Sequence, residues 1–126
     1  MRKERNPVQA IRGAITVDKN EKTDILKQTE LLLREMLEAN RIANQEVISI
    51  IFTATPDLNA AFPAAAARAL GLTEAALLDA VEMDVPGALA RTVRVLMFVD
   101  RSHAPQTVQH VYLGEARKLR PDLASR

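Results

Sequence analysis

The sequence predicts an α+β fold in which one mixed β-sheet carries helices on one of its faces. Residues 47–54 and 92–100 have the β-branched and aromatic composition of strands, and the second segment also alternates with a period of two. Apolar residues recur at helical spacing between Ile25 and Leu37. Too few helices are predicted to cover both sheet faces, so we expect copies of the chain to associate over the bare face.

The first half of the chain predicts a strand, a helix and a second strand. The first strand is expected at residues 8–17, where Gly13 allows the close approach of a neighbouring segment. Asn20 is a favoured N-cap residue for a helix that ends near Asn40. The apolar face of this helix comprises Ile25, Thr29, Leu32, Leu33, Met36 and Leu37. The near-continuous apolar run at 47–54 is typical of a strand that is buried on both faces.

The second half predicts a short helix and further strands. After a turn at 55–59, an alanine-rich helix is expected to start at Pro63 and to close at Gly71. A strand at 76–81 leads through the turn Pro86-Gly87 to the strand at 92–100. Alternation places Arg94, Leu96 and Phe98 on one face of that strand and Val93, Val95, Met97 and Val99 on the other. The order is therefore β-α-β-α-β-β, followed by a short strand at 106–113 and a helical turn at 115–119.

Length and composition limit the possible classes of protein. The 126 residues fit a single domain, expected at 8–126 after a loose leader at 1–7. A net charge of +1 and 3% aromatic residues argue against nucleic acid as a partner. The longest strongly apolar stretch, at 47–52, is too short to span a membrane. The absence of cysteine and of a signal-peptide pattern favours a cytoplasmic location.

The segment at 82–94 is the strongest indication of a binding site. Glu82 and Arg94 flank a tight turn that leads into an apolar strand, and Arg12 lies within another apolar strand. Because a buried charge without a partner is costly, such arginines near a glutamate indicate a site for a small polar anion. The alternative is that Arg94 extends its head into water and that Glu82 and Asp84 are surface carboxylates.

The sequence gives no sign of nucleophilic or metal chemistry. No serine–histidine, cysteine–histidine or paired-carboxylate arrangement in it is convincing, and four glycines are too few for a phosphate-binding loop. His103 and His110 lack the spacing of metal ligands, and His110 is expected to be structural. An enzyme of this composition is expected to work without a cofactor, by orienting a dianion and stabilising charge on an oxygen.

Seven short strings occur in order between residues 11 and 123. They are Ile-Arg-Gly-Ala-Ile-Thr-Val (11–17), Thr-Ala-Thr-Pro-Asp-Leu (53–58), Ala-Phe-Pro-Ala (61–64), Glu-Met-Asp-Val-Pro-Gly (82–87), Arg-Val (94–95), His-Val-Tyr-Leu (110–113) and Leu-Arg-Pro-Asp-Leu (119–123). Together they resemble the small monofunctional chorismate mutases of the trimeric α/β (AroH) class. The resemblance implies a homotrimer that forms a pseudo α/β barrel, with active sites between subunits. It also implies the cofactor-free Claisen rearrangement of chorismate to prephenate in phenylalanine and tyrosine biosynthesis.

The resemblance also implies a role for each candidate residue. Arg94 would contact the ether oxygen whose bond breaks and the enolpyruvyl carboxylate, and Glu82 would accept a hydrogen bond from the ring hydroxyl. Arg12 and Tyr112 would hold the side-chain carboxylate. The residues expected to line the cleft from the adjacent subunit are Phe62, Ala64 and Arg68, and those expected to close over it from the tail are Leu119 and Arg120.

Two residues depart from the pattern of that family. Ala65 stands where a lysine is common, and Asp79 stands where a small polar or sulfhydryl residue is common. Both changes reduce positive charge beside an anionic substrate, so Asp79 is expected to point away from it or to pair with an arginine. The alternative function is a trimeric binder of small carboxylates with related topology, similar to enamine/imine deaminases. The pair of Glu82 with Arg94 favours the mutase, because a plain carboxylate binder does not need it.

Overall fold

The computed structural model describes residues 7–102 and 106–123, and it has the predicted order of elements. The strands are β1 (Val8–Thr16), β2 (Val47–Ala54), β3 (Ala76–Val81), β4 (Thr92–Asp100) and β5 (Val111–Leu113). The helices are α1 (Lys22–Ala39) and α2 (Ala64–Ala69), and short 3-10 turns occur at Asn44–Glu46 and Gly114–Lys118. The predicted α+β class is confirmed.

The five strands form one mixed sheet in the order β3-β2-β4-β1-β5. The central strand β4 is antiparallel to both β1 and β2, whereas β5 is parallel to β1 and β3 is parallel to β2. The residue ranges predicted for β2, β3 and β4 are the same as those of the strands in the structure. The predicted assignment of the β4 side chains to the two faces of the sheet is also confirmed. The three valines and Met97 are buried, whereas Arg94 on the other face is exposed.

Both helices cover one face of the sheet, which we call the helix face. Ile11, Phe52 and Met97 reach the core from the three central strands, and all three are fully buried. The predicted apolar face of α1 meets them, with Leu37 only half-buried. Gly13 lets α1 approach closely, because a Cβ atom there would lie 2.5 Å from the sulfur of Met36. The expectation of a close approach at this glycine is confirmed.

The short helix α2 ends in the motif that a glycine at this position favours. Gly71 has a φ of +87°. Its N–H donates to the carbonyl of Arg68 at 3.1 Å, and the N–H of Leu72 donates to the carbonyl of Ala67 at 3.0 Å. This is a Schellman motif, which satisfies the last carbonyls of a helix. The prediction that Gly71 closes α2 is confirmed.

Two local predictions are wrong. Glu21, rather than Asn20, occupies the N-cap position of α1. The Asn20 side chain is used elsewhere, since its Oδ1 accepts the N–H groups of Asn59 (2.9 Å) and Ala60 (3.1 Å). The strand predicted at 106–113 begins only at Val111. Before it, the N–H of Gln109 donates to Asn40 Oδ1 at 2.7 Å, so a side chain replaces the sheet partner.

We call the face of the sheet opposite the helices the open face. Side chains of β2 are partly exposed on it, so the prediction that β2 is buried on both faces is wrong for a single chain. Ile51 and Thr53 are only half-buried there, and Leu78 on β3 is 59% exposed. The adjoining edge also exposes Phe62, Val81 and Met83. A single copy of the chain therefore leaves much of the open face and of this edge in contact with solvent. Within the described residues, neither helix is long and apolar enough to cross a membrane.

Candidate active site

A row of paired residues crosses the open face of the sheet. Arg94 pairs with Thr53 on one side and with Ala14 on the other, and Ala14 in turn pairs with Tyr112. Because the side chain of Ala14 is small, a gap remains between Arg94 and Tyr112. Arg12 lies two residues along β1 and therefore projects from the same face. The resulting Arg94 cavity has a volume of about 290 Å³, and its lining includes Arg12, Thr53, Glu82, Arg94 and Tyr112.

Glu82 reaches this cavity because it directly follows β3. Its N–H donates to the carbonyl of Ala54 at 2.9 Å, which extends the pairing of β3 with β2 by one residue. One carboxylate oxygen accepts the Thr53 hydroxyl at 2.6 Å, and the other lies 3.5 Å from Arg94 Nε. The Glu82 side chain is 23% exposed and that of Arg94 is 51% exposed. The guanidinium is therefore held by a carboxylate and still accessible to a ligand.

Thr53 also belongs to this site, although the sequence alone indicates no role for it. It lies within one of the seven strings, but its position beside Arg94 depends on the pairing of β2 with β4. Its hydrogen bond orients Glu82, which in turn lies beside Arg94. The signal that could have found it is the polar side chain at an open-face position of an otherwise apolar strand.

The C-terminal residues pack beside Tyr112. Tyr112 forms a small cluster with Ala14 and Ala116, against which Leu119 and Leu123 pack. Arg120 binds Asp122 through two contacts, Nε to Oδ1 at 3.1 Å and Nη2 to Oδ2 at 2.9 Å. The hydrogen bond from Arg120 lowers the pKa of Asp122. Leu119 and Arg120 thus lie near Tyr112, which is one of the residues that line the Arg94 cavity.

His110 makes a structural contact, as expected from the sequence. Its Nδ1 accepts the backbone N–H of Arg12 at 3.0 Å, which requires this nitrogen to be unprotonated. Burial, followed by the charges of Arg12 and Arg120, lowers the pKa of His110. The neutral ring therefore fixes the β1 backbone at the residue that carries the second arginine of the site.

Phe62, Ala64 and Arg68 lie outside the described lining of the Arg94 cavity. Phe62 is 72% exposed and lines a second cavity of about 550 Å³, the Phe62 cavity, together with Ala65 and Asp79. Arg68 is exposed on α2. Ala64 is only 3% exposed, so its methyl group packs into the core and offers almost no surface to a ligand. The candidate residues therefore fall into two groups at different places on one chain.

The Asp79 side chain points to the start of α2. Its Oδ1 accepts the N–H of Ala64 at 3.0 Å. Burial raises the pKa of Asp79, while this hydrogen bond and the nearby charge of Arg68 act in the opposite direction. The extra negative charge is thus partly compensated by an N–H group and an arginine.

Two arginines, a glutamate and a tyrosine surround one accessible cavity on the α+β sheet, and their charges and hydrogen-bonding groups suit a small dianion. In the part of the chain that the structure describes, no group of three or more histidine, cysteine, aspartate or glutamate residues is placed to hold a metal ion. The site can orient an anion and place a positive charge against an oxygen atom.

Comparisons with known proteins identify the family. The sequence model of the family Chorismate mutase type I matches residues 8–123. The chain is 49% identical over 119 residues to Chorismate mutase AroH of Thermus thermophilus, covering 94% of this chain and 98% of the relative. It is 39% identical over 118 residues to Chorismate mutase AroH of Bacillus subtilis (strain 168), covering 93% of each. The chain therefore belongs to the chorismate mutase type I family.

A solved structure supports the same assignment at the level of the fold. It is described as a chorismate mutase from Clostridium thermocellum, Cth-682, and it superposes with a TM-score of 0.83 at 47% sequence identity. The match covers 87% of this chain and 98% of the other. The α+β sheet is thus that of a chorismate mutase, and the deaminase-like alternative is not favoured.

Proposed function

We propose that this protein catalyses the Claisen rearrangement of chorismate to prephenate, an isomerisation in the biosynthesis of phenylalanine and tyrosine. Membership of the chorismate mutase type I family supports the reaction. The observation that carries the proposal is the contact of Glu82 with Arg94 in a cavity that also contains Arg12 and Tyr112. A dianionic substrate with an ether oxygen and a ring hydroxyl offers a partner to each of these groups.

The reaction determines what the site must do. One carbon–oxygen bond breaks while one carbon–carbon bond forms within the same molecule, so neither a nucleophile nor a proton transfer is required. Catalysis then depends on holding a chair-like conformer and on stabilising negative charge that develops on the ether oxygen. In this proposal Arg94 supplies that charge stabilisation. The role is supported by the contact of Glu82 with the guanidinium, which leaves half of the Arg94 side chain accessible.

The remaining groups bind the substrate in this proposal. Glu82 accepts a hydrogen bond from the ring hydroxyl, and Arg12 and Tyr112 hold the side-chain carboxylate. Leu119 and Arg120 close over the site from the tail, where they already lie beside Tyr112. For Arg120 this requires the guanidinium to exchange Asp122 for the substrate or to bridge both, which its five N–H donors permit.

A homotrimer completes the site. The open face around Leu78 and the exposed edge around Phe62 are surfaces that a neighbouring copy would bury. Phe62 and Arg68 lie outside the Arg94 cavity of their own chain, so we propose that they face the Arg94 cavity of the adjacent subunit. Ala64 would contribute to that wall as the buried support of α2 rather than through its methyl group. We also propose that the enzyme needs no cofactor or metal and that it acts in the cytoplasm.

The test of the proposed function is the loss of chorismate absorbance on addition of the purified protein. Prephenate should accumulate in equal amount, and the rate should be unchanged after exhaustive chelation of metals. A protein that leaves chorismate unchanged, or one that depends on an added metal ion, would contradict the proposal. A control reaction with Arg94→Ala separates catalysis at this site from the slow uncatalysed rearrangement.

A further inference from the structure

Asp79 connects the sheet to the helix that carries the second wall of the proposed site. It lies on β3, lines the Phe62 cavity and accepts the N–H of Ala64, the first residue of α2. Phe62 precedes this anchor by two residues, and Arg68 follows it by about one helical turn. One side chain thus holds the segment from which both proposed wall residues project.

The helix needs such an anchor because it is short. α2 has six residues, and helices of this length are unstable without tertiary contacts. Pro63 occupies its N-cap position and has no side-chain acceptor for the first N–H groups. At the other end the Schellman motif and a hydrogen bond from Asn44 Nδ2 to the carbonyl of Leu70 (3.0 Å) fix the helix. Asp79 supplies the corresponding fixed point at the start.

The negative charge of Asp79 opposes the benefit of fixing the start of α2, since a carboxylate near the proposed site repels a dianionic substrate. Arg68 and the N–H of Ala64 both compensate that charge, and they oppose the effect of burial on its pKa. An amide at this position would keep an oxygen acceptor for Ala64 while removing the negative charge. Asparagine and alanine therefore separate the two roles of the side chain.

We infer that Asp79 is a positioning residue, whose hydrogen bond to Ala64 fixes the start of α2 and thereby sets Phe62 and Arg68 against the substrate. This inference rests on the proposed function and concerns residues that do not perform the chemical step. It predicts that replacing Asp79 weakens substrate binding only when the oxygen that accepts the Ala64 N–H is lost. Removing the negative charge alone should not weaken binding.

The test compares Asp79→Asn with Asp79→Ala in the full-length enzyme. We expect Asp79→Ala to raise KM for chorismate roughly three- to tenfold with a smaller change in kcat, because the wall loosens while Arg94 is untouched. Asp79→Asn should show a KM equal to or below that of the wild type. In an Arg68→Ala background, Asp79→Ala should have a smaller effect on KM, because the two residues act on one wall.

The matched control is Glu46→Ala. Glu46 Oε1 accepts the N–H of Ala43 at 2.8 Å, so this carboxylate caps a short 3-10 turn from within the turn itself. It lies outside the described lining of both cavities, so its replacement should lower the melting temperature and leave KM unchanged. A KM that rises equally in Asp79→Ala and Glu46→Ala would reduce the effect to a general loss of stability and overturn the inference.

Amide hydrogen exchange at Ala64, followed by NMR, gives a readout that does not depend on activity. Exchange should be slow in the wild type and in Asp79→Asn, and faster in Asp79→Ala. If Asp79→Ala does not fold, the Asp79→Asn variant still tests the inference. Fast exchange at Ala64 or a raised KM in Asp79→Asn would overturn it. A wild type that does not convert chorismate would contradict the proposed function instead, while the exchange data would still test the anchor.

Discussion

The two faces of the sheet differ in how far one chain covers them. The helix face is covered within one chain, with Phe52 and Met97 fully buried under α1 and α2. The open face exposes Leu78 and leaves the charged group of Arg94 and Glu82 in a cavity. The comparison indicates that the helix face stabilises the subunit within one chain. In the proposed function, the open face carries the active site and the surface for association.

The largest effect on stability is expected on the helix face. Phe52→Ala removes a fully buried aromatic ring from β2, which typically lowers the free energy of unfolding by about 3–5 kcal/mol. Urea unfolding should show this loss, while kcat per folded molecule should stay near that of the wild type. A large fall in kcat of the folded fraction would break the proposed division between the two faces.

The largest effect on catalysis is expected on the open face. Arg94→Ala removes the cation that faces the developing charge, which in comparable sites costs roughly 3–4 kcal/mol, a fall of 10²–10³ in kcat. Lysine should restore little, because it lacks the planar two-pronged geometry of arginine. The control is Arg34→Ala on α1, whose ion pair with Glu30 at 3.9 Å lies on an exposed helix surface. Near-normal kcat in Arg94→Ala would refute the assignment.

A smaller effect is expected for the residue that orients Glu82. Thr53→Val keeps the side-chain shape and removes the hydroxyl that donates to Glu82. Since a hydrogen bond to a charged group is worth about 1.5–3 kcal/mol, we expect a fall in kcat of roughly tenfold. Thr53→Ser retains the hydroxyl and should keep most of the activity. Equal losses in the two variants would mean that the hydroxyl has no part in the effect.

The smallest expected effect is a pH dependence of stability from His110. Its pKa in the folded protein lies below the value of 6.5 that applies to an unperturbed histidine. The unfolded chain therefore binds the proton more readily, and the contribution of this residue is fully present above pH 6.5 and decreases as the pH falls through the folded pKa. Urea unfolding between pH 8 and pH 5 should show a smaller decrease in stability for His110→Asn than for the wild type. Identical pH profiles would contradict this contribution.

The parts that could be predicted from the sequence are those set by local pattern. The bounds of β2, β3 and β4 follow from composition and alternation, and the end of α2 follows from Gly71. The Asn20 prediction failed because a long-range contact with Asn59 competes for the same side chain. The predicted burial of β2 on both faces failed for one chain, because an apolar strand pattern does not specify which chain covers the second face.

Some features of the site could also be predicted from the sequence, and others depend on the three-dimensional fold. Arg12, Glu82, Arg94 and Tyr112 could be selected as candidates because the resemblance marks their positions, and the structure brings them to one cavity. The contribution of Thr53 and the orientation of Asp79 depend on strand register and on the placement of α2. Neither follows from spacing along the chain.

The most direct test of the central claim is complementation between two variants of reduced activity. One variant is Arg94→Ala, and the other combines Phe62→Ala with Arg68→Ala, so that each loses a different proposed wall. In trimers assembled at random from equal amounts, a site built by two neighbours is intact with a probability of one half times one half. Co-refolded trimers should therefore recover about a quarter of the wild-type activity. Activity no higher than the mean of the two separate variants, in trimers shown by mass to be mixed, would contradict a site that is shared between subunits.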